Sequence, residues 1–274
     1  MPELPEVETY RRYLEATALH QTIVHVDVED LKLLTVSYNA LLQSLRGNQF
    51  TGTRRVGKNL FVTTRSGMVV TMHFGMTGDL AYYRDEEDRP RFARIVFHFS
   101  SGGKLAFICP RKFERIGLTD SIEGYLQAKK IAKDALEASP QELTQALRKK
   151  KAPVKPVLLD QSTVAGLGNW IVDEVLFDAA IHPERLAVNL AADEIGRLHA
   201  AIQKVLSVAI EKEAVYREFP KDFLIHAREW DDSPHSQADA HRHCPRCTSG
   251  IEKVYVGGRA TYFCPQCQRM SDVK

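Results

Sequence analysis

The sequence predicts an α+β fold in which a mostly antiparallel β domain with a leading helix comes first and a helical domain follows. Three observations support this prediction. Hydrophobic and polar residues alternate along much of the first part of the chain, which is the period of half-buried strands. Beyond about residue 120, hydrophobic residues recur at the three- and four-residue intervals of amphipathic helices. Near the carboxyl end, four of the five cysteines form two C-x-x-C pairs, which indicates a third, small module.

Length and composition exclude several classes of protein. The chain has 274 residues, which exceeds the usual size of one domain. No apolar run is long enough to cross a bilayer, and 26% charged residues is typical of a globular rather than a disordered chain. The sequence has no evident glycine-rich nucleotide-binding loop and no sign of a redox cofactor. We therefore expect a globular protein of two or more domains.

The first predicted element is a helix. The apolar residues that share one of its faces are Val7, Tyr10, Leu14 and Ala18. Such a helix would bury this stripe and leave its N-terminus, with Pro2, Glu3 and Glu6, at the edge of the β domain.

Strand patterns follow the helix. In the first predicted strand, His25 and Asp27 alternate with Val24, Val26 and Val28. A later hairpin is predicted at the turn Ser100-Ser-Gly-Gly103, because apolar residues alternate before it and the strand-like run 104–108 follows it. The alternating apolar residues are Ile95, Phe97 and Phe99.

The helical part begins with a capping box. Ser139-Pro140-Gln141-Glu142 predicts a helix that starts there and runs toward Lys149. A second helix is predicted near Lys155-Pro156, and Gly166-Leu167-Gly168 forces a sharp turn before helical spacing resumes at Asn169. A longer amphipathic helix is predicted by Ile195, Leu198, Ile202, Val205 and Ala209.

The cysteines predict a metal site. Cys244-Pro-Arg-Cys247 and Cys264-Pro-Gln-Cys267 are separated by a stretch within the roughly 15–20-residue range of zinc ribbons. Four thiolates would form one closed, structural, tetrahedral Zn²⁺ site. Two disulfides of a secreted domain are the alternative, but the N-terminus has no charged-then-apolar signal segment, which favours a reducing interior. His241 and His243 are close enough in sequence to compete as ligands, although the paired cysteines favour flanking positions for them.

The stretch between the cysteine pairs predicts a hairpin. Two short strands joined by Gly257-Gly258 would place Arg259 at the tip, where its guanidinium can bind a phosphate group. From His241 to Lys274 there are six Lys and Arg residues and two Asp and Glu residues, whereas the whole chain has a net charge of only +2. Such local positive charge is typical of a module that contacts a polyanion, and a solvated basic surface is the alternative.

The amino terminus can carry chemistry. Once Met1 is removed, Pro2 presents a secondary amine, and a terminal α-amine titrates around pH 8, so part of it is unprotonated near neutrality. Such an amine can attack a sugar aldehyde carbon and form an iminium, or Schiff base. Glu3 would supply or accept the proton that ring opening requires. A proline in the first turn of a helix is the ordinary alternative.

Three motifs together resemble the formamidopyrimidine-DNA glycosylase/endonuclease VIII family of base-excision repair. They are the opening Pro2-Glu3-Leu4-Pro5-Glu6-Val7-Glu8, the central Gly166-Leu167-Gly168-Asn169, and the cysteine ribbon with Arg259. The resemblance implies an N-terminal antiparallel β-sandwich with a leading helix at 1–118, a helix-two-turn-helix DNA-binding domain at 121–220 and a zinc-ribbon module at 241–274. It also implies that duplex DNA is bound between the β and helical domains.

The resemblance implies roles for individual residues. Pro2 and Glu3 would be catalytic, and Lys58 and Arg259 would assist elimination at the phosphates, although a solvated strand lysine is the alternative for Lys58. The other residues implied to contact DNA are Glu6, His73, Met76, Arg91, Arg111, Phe113, Lys150, Lys155 and Asn169.

Five of these have a more specific implied role. Met76 and Phe113 would be core residues on composition alone, but the family inserts them into the gap that a flipped nucleotide leaves. Arg111 would hydrogen-bond the estranged base, and Lys155 would reach the lesion side. At Asn169 a helix start would bind phosphate, and a plain N-cap is the structural alternative.

The chain departs from the family pattern in several places. Cys109 and Glu114 stand where the family usually has Asp and Gly, so we expect a changed loop and a buried free thiol. Arg91 stands where many members carry a DNA-contacting histidine. The stretch from Phe223 to His243 replaces a shorter, glycine-bearing segment, and its Asp, Ser, Pro and His content predicts a loop.

The resulting hypothesis is a bifunctional DNA glycosylase and abasic-site lyase. It would remove 8-oxoguanine and formamidopyrimidines through a Pro2 Schiff base and cleave the strand by β,δ-elimination. Its partner would be double-stranded DNA containing oxidised bases or abasic sites, and we expect an intracellular monomer, cytoplasmic and nucleoid-associated if the source is bacterial. The alternatives are an endonuclease VIII-like enzyme for oxidised pyrimidines and a non-enzymatic relative that binds damaged DNA.

Overall fold

The chain divides into two compact units, Met1–Lys130 and Ile131–Lys274. The computed structural model describes residues 2–228 and 243–270. His241, most of the stretch from 223 to 243, and both ends of the predicted module 241–274 therefore lie outside the described residues. None of the described helices is long and apolar enough to cross a lipid bilayer.

Unit 1 begins with the predicted helix, α1 (Leu4–Ala18). The backbone N–H of Glu3, the residue that precedes the helix, donates to the Glu6 carboxylate at 3.0 Å, as in a capping box. Three members of the predicted stripe are completely buried, and the Tyr10 ring lies 4.5 Å from that of Phe74. The leading helix is therefore confirmed.

Two four-stranded antiparallel sheets form the body of unit 1, with the strand orders β1-β6-β7-β5 and β2-β3-β4-β8. The strands are β1 (Ile23–Val28), β2 (Phe50–Val56), β3 (Asn59–Thr64), β4 (Val69–His73), β5 (Asp79–Tyr83), β6 (Ala93–Phe99), β7 (Lys104–Ile108) and β8 (Arg115–Thr119). Two short helices accompany them, α2 (Tyr38–Leu45) and α3 (Ile122–Ala128). Phe97 and Phe107 from one sheet and Leu60 and Val70 from the other belong to one fully buried core, which confirms the β-sandwich.

The strand predictions are mostly confirmed. Ile95, Phe97 and Phe99 are buried, and the turn after them closes with the Phe99 N–H on the Gly103 carbonyl at 2.9 Å. The prediction was wrong for Val24, which is 44% exposed. The pairing of β1 with β6 shifts register just after Ile23, and such a bulge turns the next side chain to the other face.

Unit 2 contains four α-helices, short 3₁₀ helices and a hairpin among its described residues. The α-helices and strands are α4 (Pro140–Leu147), α5 (Val154–Leu159), α6 (Asn169–Asp178), α7 (Ala192–Glu211), β9 (Glu252–Val256) and β10 (Arg259–Phe263). The predicted capping box is present, because Ser139 Oγ accepts the Glu142 N–H and the Glu142 carboxylate accepts the Ser139 N–H. Gly166 has a φ of +112°, a conformation that favours glycine, and it makes the sharp turn before α6. The five apolar residues predicted to line α7 are all buried.

The hairpin β9–β10 is fixed to α5 and α6 by buried polar groups. Lys155 Nζ donates to Asp173 Oδ1 at 2.6 Å and to the Ala260 carbonyl at 2.9 Å, and the Lys155 side chain is completely buried. The Tyr262 N–H donates to the other oxygen of Asp173 at 3.3 Å. A buried ion pair therefore lies directly behind the strand that begins at Arg259.

We predict that Lys155→Met destabilises the fold strongly, because it leaves the Asp173 carboxyl buried without its ammonium partner. The free energy of unfolding should fall by about 3–5 kcal/mol in urea titrations followed by circular dichroism. The matched control is Lys133→Met, which removes a lysine whose pair with Glu142 is half exposed, and which should cost less than about 1 kcal/mol. Equal losses in the two variants would contradict this account of the anchor.

Candidate functional site

Pro2 and Glu3 lie at the N-terminal end of α1. Pro2 is partly exposed, whereas Glu3, the N-cap residue directly before α1, is only 3% exposed. The positive end of the helix dipole favours a carboxylate at this position. An amine and a buried carboxyl are therefore adjacent, which is the combination that covalent catalysis with proton transfer requires.

Lys58 lies in the turn between β2 and β3 and is 8% exposed, so it is not a solvated strand lysine. Next to it, His73 ends β4 and pairs in register with Asn59. Burial lowers the pKa of His73, and the charges of Lys58 and Arg115 lower it further. His73 Nδ1 accepts the Gly75 N–H at 3.2 Å, so a neutral imidazole holds the start of the loop that carries Met76.

Two residues that the sequence analysis missed connect α1 to the Lys58 turn. Arg55 Nε donates to Glu8 Oε2 at 3.2 Å, and Arg55 Nη1 donates to the Gly57 carbonyl at 3.2 Å. Although burial raises it, the pKa of Glu8 is lowered on balance by Arg11 and Arg55. One guanidinium thus ties the helix that follows Pro2 to the turn that carries Lys58. Glu8 is in the opening motif, but its partner lies 47 residues away in the chain, beyond the reach of local patterns.

Met76 and Phe113 are exposed, so their interpretation as core residues is wrong. Met76 is 37% exposed in the loop between β4 and β5, and Phe113 is 54% exposed in the loop between β7 and β8. The Arg111 guanidinium lies 5.6 Å from the centre of the Phe113 ring. The structure therefore brings two apolar side chains and one cation to adjoining loops of the same unit.

The departures from the family pattern occur around these loops. Cys109 is a completely buried thiol, as predicted, and burial raises its pKa to about 12. Glu114 is also completely buried. Arg91 is exposed and lies over the Phe92 ring, 4.6 Å from its centre.

In unit 2, Asn169 contacts the hairpin strand that begins at Arg259. Asn169 is the first residue of α6 and Gly168 is its N-cap, so the interpretation of Asn169 as a plain N-cap is wrong. Asn169 Nδ2 donates to the carbonyl of Ala260 at 2.9 Å, next to the exposed Arg259. The exposed Arg259 and the N-terminal end of α6 are thus linked through Ala260, and the positive end of a helix dipole suits an anion.

Two predicted lysines of unit 2 differ in their surroundings. Lys150 Nζ lies 3.1 Å from Asp160 Oδ2, and its side chain is 38% exposed. The expectation for Lys155 needs correction, because its side chain is completely buried and bound to Asp173 rather than turned outward. The family pattern identified the residue, but its spacing could not reveal that the ammonium points into unit 2.

The stretch after residue 222 is described only at its start. A 3₁₀ helix, Leu224–Ala227, occupies part of the predicted loop. Glu174 of α6 accepts the N–H groups of Leu224 and Ile225 at 2.8 and 2.9 Å, and burial raises the pKa of this carboxyl to about 7. The beginning of this stretch is thus anchored to α6.

The four cysteines of the two pairs form one cluster. Their sulfur atoms all lie within 4.8 Å of one another, with 3.5 Å between Cys247 and Cys264 and 3.8 Å between Cys244 and Cys267. Zinc–sulfur bonds of about 2.3 Å place the corners of a tetrahedron roughly 3.8 Å apart, so the cluster fits one Zn²⁺ with four thiolates. All five cysteines are unbridged, so the disulfide alternative is wrong. His243 is not a member, and its Nδ1 lies 3.0 Å from the Thr248 carbonyl.

Three family domains match the chain in the order of these features. Residues 1–116 match the formamidopyrimidine-DNA glycosylase N-terminal domain, residues 131–219 match the formamidopyrimidine-DNA glycosylase H2TH domain, and residues 244–269 match the zinc finger found in FPG and IleRS. The zinc-finger match and the cysteine geometry agree on one structural zinc.

Known proteins resemble the chain over nearly its whole length. The formamidopyrimidine-DNA glycosylases of Pelotomaculum thermopropionicum and Streptococcus mutans are each 35% identical, over 98% of this chain and 100% of each relative. The Lactococcus lactis enzyme bound non-covalently to DNA containing an abasic site has a TM-score of 0.85 at 30% identity, covering 98% of this chain and 100% of that chain. MutM in complex with DNA containing carbocyclic 8-oxo-G has a TM-score of 0.86 at 31% identity, with the same coverage. The chain therefore belongs to the formamidopyrimidine-DNA glycosylase family, a family of DNA glycosylases and abasic-site lyases.

Proposed function

We propose that this protein removes oxidised purines from double-stranded DNA and then cleaves the strand at the resulting abasic site, acting as a monomer. The observation that carries the proposal is the partly exposed Pro2, directly before a capped helix and beside the buried carboxyl of Glu3. Relatives support the choice of substrate, since solved structures hold the Lactococcus lactis enzyme with DNA containing FAPY-dG or an abasic site.

The first step is base removal. After loss of Met1, the Pro2 nitrogen attacks C1′ of the damaged nucleotide, and the base leaves with the electrons of the glycosidic bond and gains a proton. The C1′–O4′ bond then breaks to give the iminium, and O4′ takes a proton from Glu3. The attacking nitrogen loses its own N–H proton before its lone pair expels O4′, and the iminium of a secondary amine then has no N–H left, so it keeps the positive charge that the next step needs.

Strand cleavage follows from the iminium. The positive nitrogen makes a C2′ proton acidic, so its removal expels the 3′ phosphate by breaking the C3′–O bond. A second elimination breaks the C5′–O bond, and water then hydrolyses the iminium to restore Pro2. Lys58 and Arg259 would stabilise the charge on the departing phosphates. The position of Lys58, tied to α1 through Arg55 and Gly57, supports its role beside Pro2.

The remaining residues would hold the duplex. Asn169 and Arg259 form the phosphate-binding pair, and the zinc fixes the hairpin without taking part in the chemistry. Met76, Arg111 and Phe113 would fill the space of the flipped nucleotide, because flipping sacrifices stacking worth a few kcal/mol. Further residues that would contact DNA are Glu6, His73, Arg91 and Lys150. Lys155 would act through Ala260, by holding Arg259 in place, rather than by touching the lesion.

The Pro2 nucleophile predicts a trappable intermediate. Borohydride reduces an iminium to a stable amine, so incubation with a duplex containing 8-oxoguanine or an abasic site should give a covalent protein–DNA adduct on a denaturing gel. One residue added before Pro2 should abolish both trapping and nicking, whereas the same residue added after Lys274 should change neither. Trapping by the N-terminally extended protein would mean that an internal lysine is the nucleophile.

The zinc module predicts separable effects of two variants. Cys264→Ser should release zinc in metal analysis and lower DNA affinity and nicking together, because a closed four-thiolate site fails when one ligand is lost. Cys109→Ser is the matched control and should keep the metal. Arg259→Ala should keep the zinc but weaken DNA binding, and the slope of log affinity against log salt should fall by about one. Freshly purified protein without zinc would contradict this part of the proposal.

The loop residues predict the lesion preference. An arginine donates to the acceptors on the pairing edge of cytosine but would face the exocyclic amine of adenine, so 8-oxoguanine should be excised faster opposite cytosine than opposite adenine, by about tenfold. Arg111→Ala should reduce this preference. Parallel assays with methyl-formamidopyrimidine and thymine glycol complete the test. Faster removal of thymine glycol than of either purine lesion would move the protein to the endonuclease VIII branch, and binding without excision of any lesion would favour a non-enzymatic relative.

A further inference from the structure

Glu114 carries a buried carboxyl in the loop between β7 and β8. Its side chain is completely buried, and the residue directly follows the exposed Phe113. Burying a carboxyl costs several kcal/mol unless its contacts offset the loss of hydration. The contacts of Glu114 therefore indicate what this chain gains from it.

Those contacts join two loops. Glu114 Oε1 accepts a hydrogen bond from Thr77 Oγ1 at 3.3 Å, and Thr77 directly follows Met76. The Glu114 side chain also packs over Gly78, where a Cβ atom would lie 2.8 Å from Glu114 Cγ. Among the described residues, Glu114 Oε2 has no hydrogen-bond partner, so the carboxyl is held through its other oxygen by Thr77.

The backbones of the same two loops are also in contact. Gly75 has a φ of +55°, and a Cβ atom there would lie 2.7 Å from the carbonyl carbon of Phe113 and 2.8 Å from the Glu114 nitrogen. A side chain at this position would therefore push the loops apart. The loop of Met76 and the loop of Phe113 touch through a backbone contact at Gly75 and through the Glu114 side chain at Thr77 and Gly78.

We propose that Glu114 is a positioning residue that couples these two loops, so that Met76 and Phe113 enter the duplex as one body. The inference rests on the proposed function, since it assigns both side chains to the space of the flipped nucleotide. A glycine at 114 would leave the backbone contact alone to align them. With Glu114, the relative position of the two apolar side chains is fixed before DNA binds, so less conformational freedom is lost on insertion.

The test measures insertion separately from chemistry. A duplex with 2-aminopurine next to 8-oxoguanine reports unstacking as a rise in fluorescence, and single-turnover assays on the same duplex report base excision. Glu114→Ala should slow both the fluorescence rise and excision by about fivefold, the value of one net hydrogen bond, with DNA affinity nearly unchanged. Glu114→Gln keeps an oxygen acceptor for Thr77 and should stay within about twofold of the wild type.

Two further variants isolate the contact. Thr77→Val removes the donor at constant size, and the double variant with Glu114→Ala should be no slower than Glu114→Ala alone. Tyr83→Phe is the control for removal of a buried polar atom of unit 1 outside these two loops, because its hydroxyl has no hydrogen-bond partner among the described residues. It should leave the fluorescence rise unchanged.

The outcomes separate this inference from the proposed function. A Glu114→Ala protein with unchanged fluorescence and excision rates, or additive effects in the double variant, would overturn the coupling. A loss in Glu114→Gln as large as that in Glu114→Ala would also overturn it. Wild-type protein that gives no borohydride adduct with an abasic-site duplex would instead overturn the proposed function itself.

Discussion

The attachment of α1 to the sheets is the constraint on which the proposed chemistry depends. An amine on a chain end is useful only if the residues behind it are held still. The apolar stripe of α1 is buried in the sandwich core, and the buried pair between Glu8 and Arg55 fixes the helix laterally. The same Arg55 binds the Gly57 carbonyl, so the turn of Lys58 shares the support of α1. A charged pair that would add little stability at the surface here defines the relative position of two proposed catalytic groups.

In unit 2, a different set of groups holds the proposed phosphate-binding arginine, Arg259, in position. The hairpin β9–β10 is short and could not hold Arg259 in place by its own pairing. The thiolate cluster fixes its base, and the Ala260 carbonyl, which accepts from both Lys155 and Asn169, fixes the strand beside its tip. Removal of either restraint would leave an arginine of the same charge in a less defined place. The proposed phosphate recognition at Arg259 therefore depends on residues that need not contact a phosphate.

Sequence patterns predicted the elements whose causes are local. The capping box at Ser139, the turn at Gly166 and the two cysteine pairs each depend on residues a few positions apart, and each was confirmed. The patterns failed where the cause is distant. Val24 turns outward because of a bulge set by its partner strand, and Lys155 turns inward because Asp173 lies behind it. The hydrogen bond between Arg55 and Glu8 could not be predicted for the same reason, since no spacing within α1 or within β2 points to a partner in the other element.

The exposure of the Met76 and Phe113 loops in unit 1 also has a cause that is distant in the sequence, because the two loops pack against each other. An apolar side chain left in water is unfavourable, yet Met76 and Phe113 remain exposed because the backbone beneath them is held by Gly75 and Glu114. A flexible loop would fold such side chains against the nearest apolar surface. Rigid loops hold them out, and the free energy of burying them is then released only when a partner covers them. Substitutions at Gly75 or Gly78 should therefore disturb both loops at once, whereas changes at the exposed Arg111 side chain can alter recognition without moving the backbone. In this arrangement the tightly packed residues set the geometry, and in the proposed function the exposed residues would set the choice of lesion.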